Sequence, residues 1–66
     1  MPNVQITMLE GRTLEEKKNL VANVTAGITG TLGVKPEHVQ ILITEVKSDN
    51  YAVAGQLISD RSPARA

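Results

Sequence analysis

No cysteine occurs anywhere in a chain of only 66 residues, and that combination decides most of what the chain can become. A domain this small buries only about 60% of the surface its unfolded form exposes, so it ordinarily needs a disulfide, a structural metal or further subunits to be stable. Disulfides are excluded. His38 is the one histidine, and no acidic cluster has ligand spacing, so neither a metal nor a cofactor is expected. Oligomerisation remains. Seven basic and seven acidic side chains cancel to a formal net charge of zero, which removes the general electrostatic reason to bind nucleic acid or an anionic membrane. No apolar run approaches the roughly 20 residues of a membrane span, and no secretion signal is visible, so the expected compartment is the cytoplasm.

The chain reads as α/β (α+β): a short β-α-β unit with a small C-terminal hairpin, one domain over residues 1–59, with a mobile tail over 60–66. Val4, Ile6 and Met8 alternate with Asn3, Gln5 and Thr7, the period of a strand with one covered face. Thr13 and Glu16 have capping-box spacing, in which hydroxyl and carboxylate each satisfy a free backbone amide at a helix start. Glu15 and Glu16 also suit the positive end of the helix dipole. Leu14, Val21, Val24, Ile28 and Leu32 then mark the apolar stripe of a helix of about five turns, and Gly33 is its natural stop. Gly27 and Gly30 lie inside that helix, where each costs about 1 kcal/mol relative to alanine if exposed. Fraying or close helix packing is expected there.

Lys35-Pro36-Glu37-His38 predicts a turn or a single 3₁₀ turn. Val39–Val46 follows as a second strand, whose near-continuous apolar centre predicts cover on both faces. Two strands joined through a helix of this length are expected to be parallel, with a right-handed crossover. Lys47–Asn50 is strongly turn-forming, and Tyr51–Leu57 predicts a short hairpin or arm.

Pro2 stands directly after the initiator methionine. A small second residue usually permits removal of Met1, and Pro2 then becomes a secondary amine on a rigid ring, a base rather than an amide. Taken alone, a proline here equally begins an edge strand, where its missing donor is harmless. The surrounding pattern is more specific: Pro2, Ile6, Leu9-Glu10-Gly11-Arg12, a Glu/Lys-rich helix, Ile43-Thr44-Glu45, Tyr51 and Gly55. Together these residues resemble the 4-oxalocrotonate tautomerase family over almost the whole chain without a gap. The resemblance implies β-α-β protomers whose sheets pair into dimers, three dimers forming a homohexamer, and active sites built from neighbouring chains. It also implies an isomerase, a keto-enol tautomerase acting on a small carboxylate-bearing substrate, either a 2-hydroxy-dienoate or a 2-keto acid.

Such chemistry needs a base that is unprotonated near neutral pH and a group that stabilises developing enolate charge. An amino-terminal amine has a pKa of about 7.7–8.0 in model peptides, and an apolar pocket beside an arginine disfavours its charged form by desolvation and like-charge repulsion. By resemblance Pro2 is that catalytic base, Arg12 binds a substrate carboxylate through its guanidinium fork, and Tyr51, where the family commonly has phenylalanine, forms a pocket wall. Gln40 aligns with the family's second arginine, so one substrate-binding position carries a neutral amide in place of a charge. That departure puts efficient 2-hydroxymuconate tautomerisation in doubt. His38 shares a side with Gln40 if both belong to the strand; otherwise it is an exposed turn histidine. Glu10 and Glu45 read as solvated or ion-paired.

The hairpin residues Ala52-Val53-Ala54 offer no carboxylate to activate water, which disfavours the hydrolytic dehalogenase chemistry of related proteins. Two alternatives to a homomeric enzyme stay open. The chain is a partner subunit of a hetero-oligomer in which a paralogue supplies the missing arginine, or it is a binding or scaffold protein that keeps the assembly without the chemistry, a reading that gains weight if Met1 is retained.

Overall fold

Residues 1–61 are described by the computed structural model of the protein. The alternating segment forms β1 (Asn3–Leu9), and α1 (Leu14–Leu32) carries the chain back to β2 (Gln40–Val46) through a 3₁₀ turn at Pro36–His38. A second 3₁₀ turn (Ser48–Asn50) leads into the hairpin strands β3 (Ala52–Val53) and β4 (Gln56–Leu57), and a third (Ile58–Asp60) follows. β1 and β2 pair in parallel, with Asn3 opposite Gln40 and Leu9 opposite Val46.

Paired residues of a parallel ladder share a face of the sheet. Val4 with Ile41, Ile6 with Ile43 and Met8 with Glu45 therefore line one side. Lys17 of α1 donates to Glu45 Oε1 at 3.1 Å, which places the helix over that face. The opposite face carries Asn3, Gln5, Thr7, Gln40, Leu42 and Thr44, all exposed. A single helix covers a single side, so the cover expected on both faces of β2 is found on one. Leu42 stays 60% exposed.

Local chemistry fixes both ends of α1. Thr13 N–H donates to Glu16 Oε1 at 2.9 Å and Glu16 N–H donates to Thr13 Oγ1 at 3.1 Å, completing the capping box. At the far end Gly33 adopts φ 72° and its N–H donates to the Thr29 carbonyl at 3.0 Å, a left-handed cap that glycine enters without a Cβ penalty. With both ends tied, the helix runs through Gly27 and Gly30 without fraying. Within the single chain no close packing occurs at either position, since apart from the helix's own backbone nothing lies within 4 Å of where a Cβ would sit.

The half-buried side of α1 comprises Lys17, Leu20, Val21, Val24, Thr25, Ile28 and Thr29. Leu14 and Leu32, the outer members of the expected stripe, are 66% and 62% exposed. The helix has 19 residues and each main strand seven, so a rod of about 28 Å overhangs strands of about 23 Å at its ends.

Ala54 and Gly55 close the hairpin with φ 55° and 79°, the paired positive φ of a two-residue type I′ loop. Asp60, the first residue of the expected tail, closes the third 3₁₀ turn, and Arg61 N–H donates to the Ile58 carbonyl at 3.0 Å. Positions 62–66 of that expected tail lie outside the described residues. Among the described residues none is fully buried. The radius of gyration is 14.8 Å, against about 11 Å for a compact domain of this length.

Candidate active site

At the N-terminal end of the sheet, the Pro2 carbonyl accepts a hydrogen bond from Gln40 N–H at 3.1 Å. This bond continues the parallel ladder one residue beyond β1 and makes Gln40 the neighbour of Pro2. Beside them a hollow of about 280 Å³ is lined by Asn3, Val4, Gln5, Gln40, Ile41 and Leu42. Three of these side chains are neutral carboxamides and none is charged, so the hollow offers hydrogen-bond donors and acceptors without a cation. His38 does not belong to β2. It sits in the preceding 3₁₀ turn, with its N–H donating to the Lys35 carbonyl at 2.9 Å, so strand alternation does not put it on the face of Gln40.

The other end of the sheet carries the guanidinium. Glu10 N–H donates to the Val46 carbonyl at 2.9 Å, and the chain then leaves β1 through Gly11, whose φ of 122° is strained for any residue with a Cβ. Arg12 follows, its Nη1 3.6 Å from Glu16 Oε2. A groove of about 260 Å³ runs along this corner, lined by Met8, Arg12, Glu16, Lys17 and Leu20. Because β2 is parallel to β1, it also delivers the second 3₁₀ turn and then Tyr51 to this end. The Tyr51 carbonyl accepts from Ile58 N–H at 2.8 Å, and the residue is 40% exposed.

The four residues singled out in the sequence thus divide between opposite ends of one parallel ladder: Pro2 is bonded to Gln40 at one, while Arg12 leaves β1 and Tyr51 follows β2 at the other. The seven residues of β1 separate them, a span of about 23 Å that no small substrate bridges. Any site that uses all four draws on more than one chain. Glu45 is ion-paired with Lys17, and Glu10 is exposed. Among the described residues no group of three or more histidine, cysteine or acidic side chains is arranged to hold a metal ion. Sequence reading missed the contact of Glu16 with Arg12, although their i,i+4 spacing is the signal for such a pair.

A family model for tautomerase enzymes matches residues 2–61. The chain belongs to the tautomerase family. It is similar to a 2-hydroxymuconate tautomerase of Bacillus subtilis, with 48% identity over 60 residues that span 91% of this chain and 97% of that one. Among solved structures it resembles YwhB, a homologue of 4-oxalocrotonate tautomerase, with a TM-score of 0.87 and 47% identity over 91% of this chain and 98% of the other. A heterohexamer 4-oxalocrotonate tautomerase from Chloroflexus aurantiacus superposes with a TM-score of 0.87 at 32% identity, over 91% and 97% of the two chains. The β-α-β protomer with its small hairpin is the fold of the 4-oxalocrotonate tautomerases, and the protein is an isomerase of that kind.

Proposed function

We propose that this tautomerase moves a proton between the enol or dienol and keto forms of a small 2-hydroxy-dienoate or 2-keto acid. The site combines Pro2 and Gln40 of one chain end with Arg12 and Tyr51 of another. The observation that supports this reading is the division of these residues between opposite ends of the sheet, where the Pro2 end is lined by neutral amides and Arg12 lies about a strand's length away.

In this mechanism Met1 has been removed and the Pro2 nitrogen is a neutral secondary amine. It takes the proton of the 2-hydroxyl group, the O–H electrons form the carbonyl, and the displaced double-bond electrons take the proton back from Pro2 at carbon. Arg12 of a neighbouring chain holds the substrate carboxylate. Gln40 donates a hydrogen bond to the oxygen that carries developing charge, and Tyr51 walls the pocket. Opposed copies in dimers, three dimers to a homohexamer, bring these groups together. The proposed setting is the cytoplasm.

A second reading has one observation in its favour. Gln40 leaves the Pro2 end without a cation, and the Chloroflexus relative is a heterohexamer, so the chain also fits a partner subunit whose missing charge comes from a paralogue. The test is an intact mass before and after treatment with an amine-directed label such as bromopropiolate, with phenylenolpyruvate and 2-hydroxymuconate ketonisation assays alongside. Loss of the Met1 mass, one adduct on Pro2 and turnover abolished by Pro2→Ala support the homomeric enzyme. A cleaved protein that neither reacts nor turns over substrate sinks it in favour of the hetero-oligomer.

A further inference from the structure

The Glu16 carboxylate faces two ways. Its Oε1 accepts the Thr13 backbone N–H at 2.9 Å and lies 3.4 Å from the Thr13 hydroxyl, while its Oε2 is 3.6 Å from Arg12 Nη1. Arg12 precedes the cap residue and follows Gly11, whose positive φ sets the direction in which the chain leaves β1. The backbone on either side of Arg12 is therefore fixed by a glycine turn and a helix cap. The long side chain itself lies beside the Glu16 carboxylate on the first turn of α1.

We propose that Glu16 is a positioning residue for Arg12: one carboxylate oxygen closes the helix cap while the other holds the guanidinium of the anion-binding side chain. This rests on the reading of Arg12 as the carboxylate anchor. The contact between Glu16 and Arg12 is an exposed ion pair, so its hold on the guanidinium is electrostatic and modest. At 3.6 Å the contact is longer than the roughly 2.7–2.9 Å of a direct charge-assisted hydrogen bond. A guanidinium has five donors in a planar fork, so one edge can rest near Glu16 while another receives the substrate. Lys17, the next residue on α1, is tied to Glu45 at 3.1 Å, which directs that ammonium across the sheet.

The two roles of Glu16 separate by substitution. Glutamine also serves at the third position of a capping box, so Glu16→Gln keeps the cap and removes the charge that orients Arg12. Thr13→Ala removes the hydroxyl half of the box but keeps the backbone N–H that holds Glu16 Oε1. For the assembled protein, Glu16→Gln is expected to leave the thermal midpoint unchanged and to raise KM for phenylenolpyruvate about two- to fivefold, the scale of an exposed ion pair. The kcat should stay within about twofold, as when binding shared by ground and transition states is lost. Thr13→Ala is expected to lower the thermal midpoint and leave KM unchanged.

A second readout does not need turnover. The rate at which phenylglyoxal modifies Arg12, read by peptide mass, should rise in Glu16→Gln and not in Thr13→Ala. An unchanged KM and modification rate in Glu16→Gln overturn the proposal, as does a fall in KM, which would make Glu16 a competitor of the substrate. If the unaltered protein turns over no carboxylate substrate, the proposed function fails, and the modification rates alone then decide whether Glu16 positions Arg12.

Discussion

Gln40 stands next to Pro2 through the bond from its amide to the Pro2 carbonyl, and none of the residues lining the hollow around it is charged. Under the proposed function the carboxylate goes to Arg12. Arg12→Ala is expected to raise KM for a carboxylate substrate about 10- to 100-fold, since a hydrogen bond to a charged group contributes roughly 1.5–3 kcal/mol; steady-state kinetics would show it. Gln40→Arg adds a cation beside the base. It should shift the ratio of kcat/KM for 2-hydroxymuconate over phenylenolpyruvate about tenfold toward the dicarboxylate, because charged hydrogen bonds are about twice as strong as neutral ones. An unchanged ratio would show that position 40 does not meet the substrate. Pro2, Arg12, Tyr51 and Gln40 were singled out in the sequence through the family resemblance, and their positions along the chain were readable there. Their division between two ends was not, because it depends on the parallel register of β1 with β2, a relation between segments far apart in the chain.

At the level of elements, the features written in adjacent residues were readable and those set by length matching were not. The Thr13–Glu16 box, the Gly33 stop and the hairpin loop are local and occur where their residues are. The overhang of Leu14 and Leu32 follows from a helix longer than its strands, and His38 falls outside β2 because the ladder begins one residue after Val39. A strand boundary displaced by one or two residues is enough to remove an inference from alternation. Gly27 and Gly30 supply a test at this scale. With open space around both positions in the protomer, Gly27→Ala and Gly30→Ala should each stabilise the protein by about 0.4–1 kcal/mol, seen as a higher denaturation midpoint. Destabilisation at either site would show that a neighbouring chain packs against it in the assembly.

For the whole molecule the dominant fact is that no described residue is fully buried. The shortage of core that chain length and the lack of cysteine foretold is present in the protomer, but composition could not say which surface stays open. The structure locates it on the sheet face opposite α1, with Leu42 60% exposed. A folded state that depends on association melts at a temperature that rises with protein concentration. That rise is expected here, with sedimentation detecting assembled protein and no folded monomer. Leu42→Asp should shift the population toward unfolded single chains, since an aspartate driven into a desolvated, uncharged interface loses its hydration without gaining a charged partner. A stable, folded Leu42→Asp monomer would refute that role for the face.

The parallel pairing of β1 with β2, which sends Pro2 and Arg12 to opposite ends, also has a genetic consequence under the shared-site reading. An allele lacking Pro2 and an allele lacking Arg12 are each inactive alone. When a chain of one pairs with a chain of the other, one pocket inherits both lesions and its twin inherits neither. Co-expressed, two dead genes should restore a fraction of wild-type turnover, whereas two alleles damaged at the same end of the strand should restore none.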